Sequence, residues 1–490
     1  MVYVAHDEET LTYPSSAPFH PSELYPEYPW GAEYLSSEQN GVYTMIRSLL
    51  HSMGLDREHF GTDEWNPLGA FIKPGMTVLL KPNMVLHFNA ADNSPNLDCV
   101  ITHPSLVRAV LDYVQIALQG QGTVIVGDAP LQSCDYARLC ALSGHDAVRD
   151  FCRSRGASVE YVDFRQVRSA LNAHGILETV DGAGDPRGYK IVDMHGHSAF
   201  KDKRDRNRNF RVTCYDHRIM RRYHTEDNNS FLISGSALAA DVIIDMPKVK
   251  THKKAGITAS LKNFIGVIGH KDCLPHHTKG STQEGGDEYL NSSLWKKLAV
   301  FCEEWRNIFA LGNQTILARF MQKMEGKFWR IATRSSNDPF REGSWYGNDT
   351  IWRTTLDLAR IIYFADKEGA LQSTRQRTVF VVADAIVAGE KNGPLHPVAK
   401  QCSLIAASFD LPALDLALAS LMGFAPEKIP TVIRAFDAHP LALTELTPDM
   451  VVISSNSQQW HDVKAKNLAL EQTLQFVPPE AWHGHIEKEN

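Results

Sequence analysis

The chain has 490 residues, 43% hydrophobic and 22% charged, a globular balance that excludes collagen-like, fibrous and disordered classes. Its 50 basic and 57 acidic residues give a formal net charge of −7, which argues against non-specific nucleic-acid binding by the whole surface, because such binding needs a cationic footprint. None of the eight cysteines forms a CxxC pair, so no zinc ribbon or iron–sulfur cluster is expected, and reduced thiols of a cytoplasmic protein are the default.

The opening MVYVAHDEETLTYPSS lacks a basic n-region and an apolar h-region, so it does not read as a secretory signal. No apolar run reaches the length of a membrane span. Residues 1–70 read as an N-terminal arm whose Pro-, Tyr- and Ser-rich first 40 residues pack their aromatics on a neighbour. Residues 71–450 read as the main α/β domain, with insertions near 165–230 and 284–350, and residues 451–490 as a C-terminal tail.

Within the main domain, strands are expected near 76–81, 123–127, 158–162, 241–246, 378–383 and 404–408. Each is a short apolar run, and most end in a polar loop. A helix opens at His103-Pro104-Ser105, with proline early in its first turn. Residues 137–155 read as one helix, and 412–422 as another closed by Gly423. This rhythm predicts an open, mostly parallel sheet with helices on both faces, plus inserted helical and basic-loop segments. One insertion carries nine basic and three acidic residues over 201–222. In another, Trp295, Leu298, Phe301, Trp305 and Phe309 fall three to four apart and read as a core-facing helical stripe.

Ligands of such sheets bind beyond the carboxyl ends of the strands. The polar residues there are Lys81, Asn83, Asp128, Asp245, Lys248, Lys250, Asp384 and Asp410. The stretch 247–279 is a cationic island in an acidic chain. It holds Lys248, Lys250, Lys253, Lys254, Lys262, Lys271 and Lys279 against Asp272 alone, with His252, His270, His276 and His277 among them. Glycines 256, 266 and 269 interleave, which suits close backbone approach to an anion. Lys81, Asn83, Lys248, Lys250, Lys262 and Asn263 are therefore candidate anion ligands. Asp128, Asp245, His252 and His270 are candidate acid–base groups. Neither Lys248→Ala nor Lys262→Ala is expected to disturb the fold.

Two alternatives stay open at this point. His270, His276 and His277 could hold a divalent metal. Asp349, Arg353 and Asp357, spaced i, i+4, i+8, are either a closed salt-bridge ladder or a clamp that aims Arg353 at a ligand carboxylate or phosphate.

KPNMV at 81–85, THPSLVRAV at 102–110, VIVGDAP at 124–130 and DMPKVKTHKKAGITASLKNFIGVI at 245–268 resemble the domain-of-unknown-function 362 family, and ADAIVAGEKNGP at 383–394 continues the match in order. The resemblance covers about residues 70–435 and implies the family's fold and a shared site without a reaction. Many relatives add a ferredoxin-type CxxCxxC module, which this sequence lacks. Three functions are carried forward. The first is an enzyme acting on an anionic small molecule. The second is a metal-dependent isomerase or racemase-like enzyme using His270, His276 and His277. The third is a non-catalytic assembly or binding protein docking a partner on the basic insertion.

Overall fold

Alternate residues of the central strands face two separate cores, which is why those strands read as unbroken apolar runs. The computed structural model describes residues 1–171, 177–212, 216–336 and 338–489; Cys214 lies outside them. Its main sheet has eleven strands. They are β1 (Val2–His6), β2 (Thr77–Pro82), β3 (Thr123–Asp128), β4 (Val159–Asp163), β5 (Val242–Met246), β6 (Lys248–His252), β7 (Gly256–Thr258), β8 (Thr378–Asn392), β9 (His396–Ser408), β10 (Val452–Ser455) and β11 (Val463–Lys464). The order is β11-β10-β1-β9-β8-β5-β2-β3-β4, with β6 on β8 and β7 on β6. The block β8, β5, β2, β3, β4 is parallel throughout, so its carboxyl ends share one edge.

Val78, Leu80, Val124, Val126 and Ile244 face the helices Gly41–Ser52, Pro104–Leu118 and His145–Ser154. Leu79, Ile125, Ile243, Val379 and Val381 face Ile351–Phe364 and Leu411–Leu421. The strand-edge Asp410 caps the second of these: its carboxylate accepts from Ala413 N at 2.8 Å, and Gly423 follows the helix with φ 89°. The expected single helix at 137–155 is two, broken at Gly144, whose φ of 92° no helix accommodates.

Both chain ends join this sheet. β1 lies between β9 and β10, and the segment that follows it folds back on its own domain. Tyr13 enters deepest. Its hydroxyl donates to Asp384 Oδ1 at 2.6 Å and accepts from Lys248 Nζ at 2.6 Å and Val387 N at 3.1 Å, while its ring stacks on His103 at 4.0 Å. Phe19, Tyr25 and Tyr28 are also buried. The aromatics of the arm thus complete the body of their own chain.

The helical stripe of the second insertion runs against expectation. Helices Leu294–Leu311 and Thr315–Ser336 pair with each other, but Trp295, Phe301 and Trp305 are 37%, 51% and 39% exposed. The inward face holds Ala299, Cys302, Glu303, Asn307 and Ala310 instead. Among the described residues no helix is long and apolar enough to cross a membrane.

Tyr13→Phe should cost about 1–3 kcal/mol of unfolding free energy, because it removes the short hydrogen bond to Oδ1 of the buried Asp384 carboxylate, leaving that oxygen only the longer one from Ile386 N, and takes the acceptor from the Val387 amide. Urea denaturation measures it, and a loss below about 0.5 kcal/mol would place the hydroxyl outside the essential network.

Candidate functional site

β5 and β6 form one path broken only at Pro247, whose carbonyl accepts from Asp384 N at 2.9 Å. In a strand alternate side chains share a face. Val249 therefore enters the core, while Lys248, Lys250 and His252 project together toward the carboxyl edge.

The three do not end in one place. Lys248 is wholly buried and pairs with Asp384 Oδ2 at 2.7 Å beneath Tyr13. It is a structural cation, so Lys248→Ala would leave Asp384 buried without its partner, contrary to the expectation that the fold is indifferent to it. Lys250 donates to Asn83 Oδ1 at 2.8 Å and Val100 O at 2.5 Å. His252 turns into a cavity of about 120 Å³.

A buried network stands behind that cavity. Lys81 Nζ pairs with Asp128 Oδ1 at 2.7 Å and donates to Asn263 Oδ1 at 3.1 Å. Asp128 Oδ2 accepts from Met84 N at 2.7 Å. Asn263 Nδ2 donates to Asp245 Oδ1 at 2.7 Å, and Ser260 Oγ to Asp245 Oδ2 at 2.7 Å. The turn Ser260–Asn263 is held in turn by Asp415, which accepts from Ser260 N and Leu261 N. Gly266 lies against the ion pair: a β-carbon there would stand 1.7 Å from Asp128 Oδ1 and 2.5 Å from Lys81 Nζ, so only glycine fits. Burial, only partly offset by Lys81, pushes the Asp245 carboxyl up to about 7.

The cavity is lined by Asn83, Asp128, Lys250, His252, Thr258, Lys262, Asn263, Lys271 and His276, among others. Its one carboxylate, Asp128, already serves Lys81. Lys262, 8% exposed, makes no hydrogen bond or ion pair among the described residues, and the Thr258 hydroxyl is fully buried without a partner there. Lys271 donates to Ile265 O at 3.1 Å. Burial, reinforced by Lys271, lowers Lys262 to about 7. Burial and Lys248 lower Lys250 to about 7. Burial lowers Lys271 to about 8, against the pull of Asp128.

The two histidines have opposite tautomers. His252 Nδ1 accepts from Lys254 N at 3.0 Å and Ala255 N at 3.2 Å, so in the neutral ring Nε2 carries the proton. His276 Nδ1 lies 2.8 Å from the Leu274 carbonyl, which only accepts, so its Nε2 keeps a free lone pair. Burial and, next, Lys262 for His252 and Lys254 for His276 hold both rings well below the usual imidazole range, hence neutral. The sequence alone does not single out Lys271 as a site residue, and it offers His276 as a metal ligand rather than as a base. The only signal was membership of the cationic island.

Other candidates lie elsewhere. His270 lines a separate cavity with Asp216, Arg218 and Asp272. His277 Nε2 stands 3.9 Å from Glu288. The three expected metal ligands thus do not share a site, and among the described residues no group of three His, Cys, Asp or Glu side chains is arranged to hold a metal. Arg353 is held by Asp202 and Asp349 and donates to Ala199 O, while Asp357 takes Ser198 and Arg360. The i+8 carboxylate Asp357 is therefore not a partner of Arg353, whose guanidinium lines a different cavity with Asp202, Asp349 and Arg434 among others. In the basic insertion Arg211 pairs with Glu304 and Lys203 with Asp349.

A family model described as a domain of unknown function (DUF362) matches residues 78–420, and the chain belongs to that family. It is 22% identical over 399 residues to the thylakoid-associated protein sll1697 of Synechocystis sp., covering 81% of this chain and 75% of the relative. A structural-genomics crystal structure from Thermotoga maritima aligns with 73% of this chain at 9% identity and a TM-score of 0.28. The chain spans about half, 54%, of that protein's length.

Lys81→Met should destabilise the fold by about 3–5 kcal/mol, because it strands Asp128 as a buried unpaired charge. Lys262→Met should leave the thermal midpoint in anion-free buffer unchanged or raise it. The sign follows from linkage: Lys262 titrates near 7 when folded and 10.5 when unfolded, so between those values the unfolded chain holds more protons and stability rises with pH. The variant should lose that part of the rise. Equal destabilisation by the two substitutions would contradict this division of roles.

Proposed function

We propose that this DUF362-family chain is an enzyme that acts on a small anionic molecule, a phosphate or carboxylate, bound in the lysine-lined cavity. One observation carries the reading: Lys262 lines a cavity whose one carboxylate among the described residues, Asp128, is already paired, and its ammonium has no partner among those residues. A buried cation without a partner is costly, and a bound anion relieves the cost. Thr258 supplies a second unmatched donor, and Lys250 and Lys271 complete a cationic wall. At about 120 Å³ the space suits a phosphate group or a short carboxylate; pockets for whole drug-sized ligands run to about 300–1,000 Å³.

The neutral imidazoles give the chemistry. His276 Nε2 accepts a proton from the bound molecule, and His252 Nε2–H donates one, so proton transfer beside an anchored anion is the step this arrangement supplies. Asp245 and Asp128 act as supports, since each has its oxygens engaged. The seven described cysteines are buried and unpaired, in keeping with a reducing, cytoplasmic compartment.

Calorimetric titration with inorganic phosphate and short mono- and dicarboxylates tests the proposal. The wild type should bind at least one of them, and Lys262→Met should weaken it by about ten- to a hundredfold, the worth of a charged hydrogen bond. Lys250 and Lys262 titrate near 7 and Lys271 near 8, so affinity should fall as pH rises from 7 to 9. Binding near pH 7.5 should take up protons, seen as a dependence on buffer ionisation heat. Equal affinity in wild type and variant would exclude the cavity as the site.

A further inference from the structure

The helix pair Leu294–Leu311 and Thr315–Ser336 carries its apolar side chains outward. In the first helix Leu294, Leu298, Phe301 and Trp305 follow one another at four, three and four residues, a single stripe; Leu294, Phe301 and Trp305 are exposed and Leu298 half-buried. In the second, Ile316, Phe320, Lys323, Lys327, Arg330 and Arg334 form the outer stripe, every member exposed. It begins apolar, with Ile316 84% exposed, and is cationic for the rest of its length. The helix has five basic residues, Arg319 included, and one acid, Glu325. Glu325 is turned inward onto Arg306 at 2.5 Å. No carboxylate of the second helix therefore answers its outer cations.

Soluble surfaces seldom line up exposed large apolar side chains along one stripe, and such a stripe marks an interaction site. A second copy of the same stripe would set four cations against four. An anionic lipid surface answers both halves of the pattern: aromatic and aliphatic side chains enter the boundary between headgroups and acyl chains, and lysine and arginine rest on the phosphates. We propose that the exposed stripes of these two helices dock the protein on a membrane surface rich in anionic lipid. The helices lie on the bilayer and do not cross it, which agrees with their lack of a spanning apolar stretch. The proposal stands apart from the lysine-lined cavity and does not depend on its chemistry.

Co-sedimentation of the full-length protein with phosphatidylcholine vesicles, with and without phosphatidylglycerol, tests it. Binding should require phosphatidylglycerol and weaken as salt is added. The double variants Phe301→Ser/Trp305→Ser and Lys323→Glu/Lys327→Glu should each lower partitioning by about tenfold or more. Lys323→Glu/Lys327→Glu should leave the thermal midpoint unchanged, because both side chains are exposed, and Phe301→Ser/Trp305→Ser, which removes the Trp305–Phe309 ring contact, is compared at a temperature where circular dichroism shows it folded. The proposal falls if phosphatidylglycerol vesicles bind no protein, or if both double variants bind as well as the wild type. It falls equally if sedimentation equilibrium shows a dimer that the Phe301→Ser/Trp305→Ser change dissociates, which would assign the face to a second copy.

Discussion

The Lys81–Asp128 ion pair is the interaction around which the carboxyl edge of the sheet is arranged. A lysine with 0% exposure persists as a cation only when its charge and its donors are all answered. Here β3 supplies the counter-charge, and the turn at 260–263 supplies Asn263, whose side-chain oxygen accepts from Lys81 and Asn83 and whose amide binds Asp245. Through those contacts β2, β3 and β5, three neighbouring parallel strands, are tied to a loop that no strand register could position. The Gly266 backbone then closes over the pair, in a space too tight for a β-carbon.

That constraint explains how the lysines at the sheet edge divide into two groups. Lys81 and Lys248 are matched by Asp128 and Asp384 and act as parts of the scaffold. Lys262 stands beyond the last available carboxylate. The rigid network behind it keeps Asp128 and Asp245 engaged, so neither can swing across to neutralise it. On the proposed reading an anion would meet Lys262 in a preformed cavity and bind without reorganisation, which is where much of the affinity for small charged ligands originates.

The parallel sheet and its edge were legible because their causes are local. Apolar runs ending in Lys81, Asp128, Asp245 and Asp384 mark strand ends, and KVKTH alternates visibly with period two. The division of labour among the lysines was not legible, since it depends on which carboxylate reaches which ammonium across the sheet. Asp384 lies 136 positions from Lys248, and their Tyr13 bridge comes from the far end of the chain. The outward turn of the 294–309 stripe was missed for a related reason. Periodicity reveals that a helix is two-sided, but not which side meets the body when Glu303, Arg306 and Glu325 can pair across the inner face. The tautomers of His252 and His276 follow from backbone groups two or three residues away, and only the folded loop sets them.

The cavity beside Lys81–Asp128 is proposed as an anion site in which Lys262 supplies the free cation. Crystals soaked in tungstate test it most directly, because tungsten's anomalous scattering locates a phosphate-like ion unambiguously. The account predicts a peak within hydrogen-bond distance of Lys262 Nζ and the Thr258 hydroxyl, with the Lys81–Asp128 pair unchanged. A cavity without tungsten, with Lys262 turned onto a protein carboxylate, would contradict it.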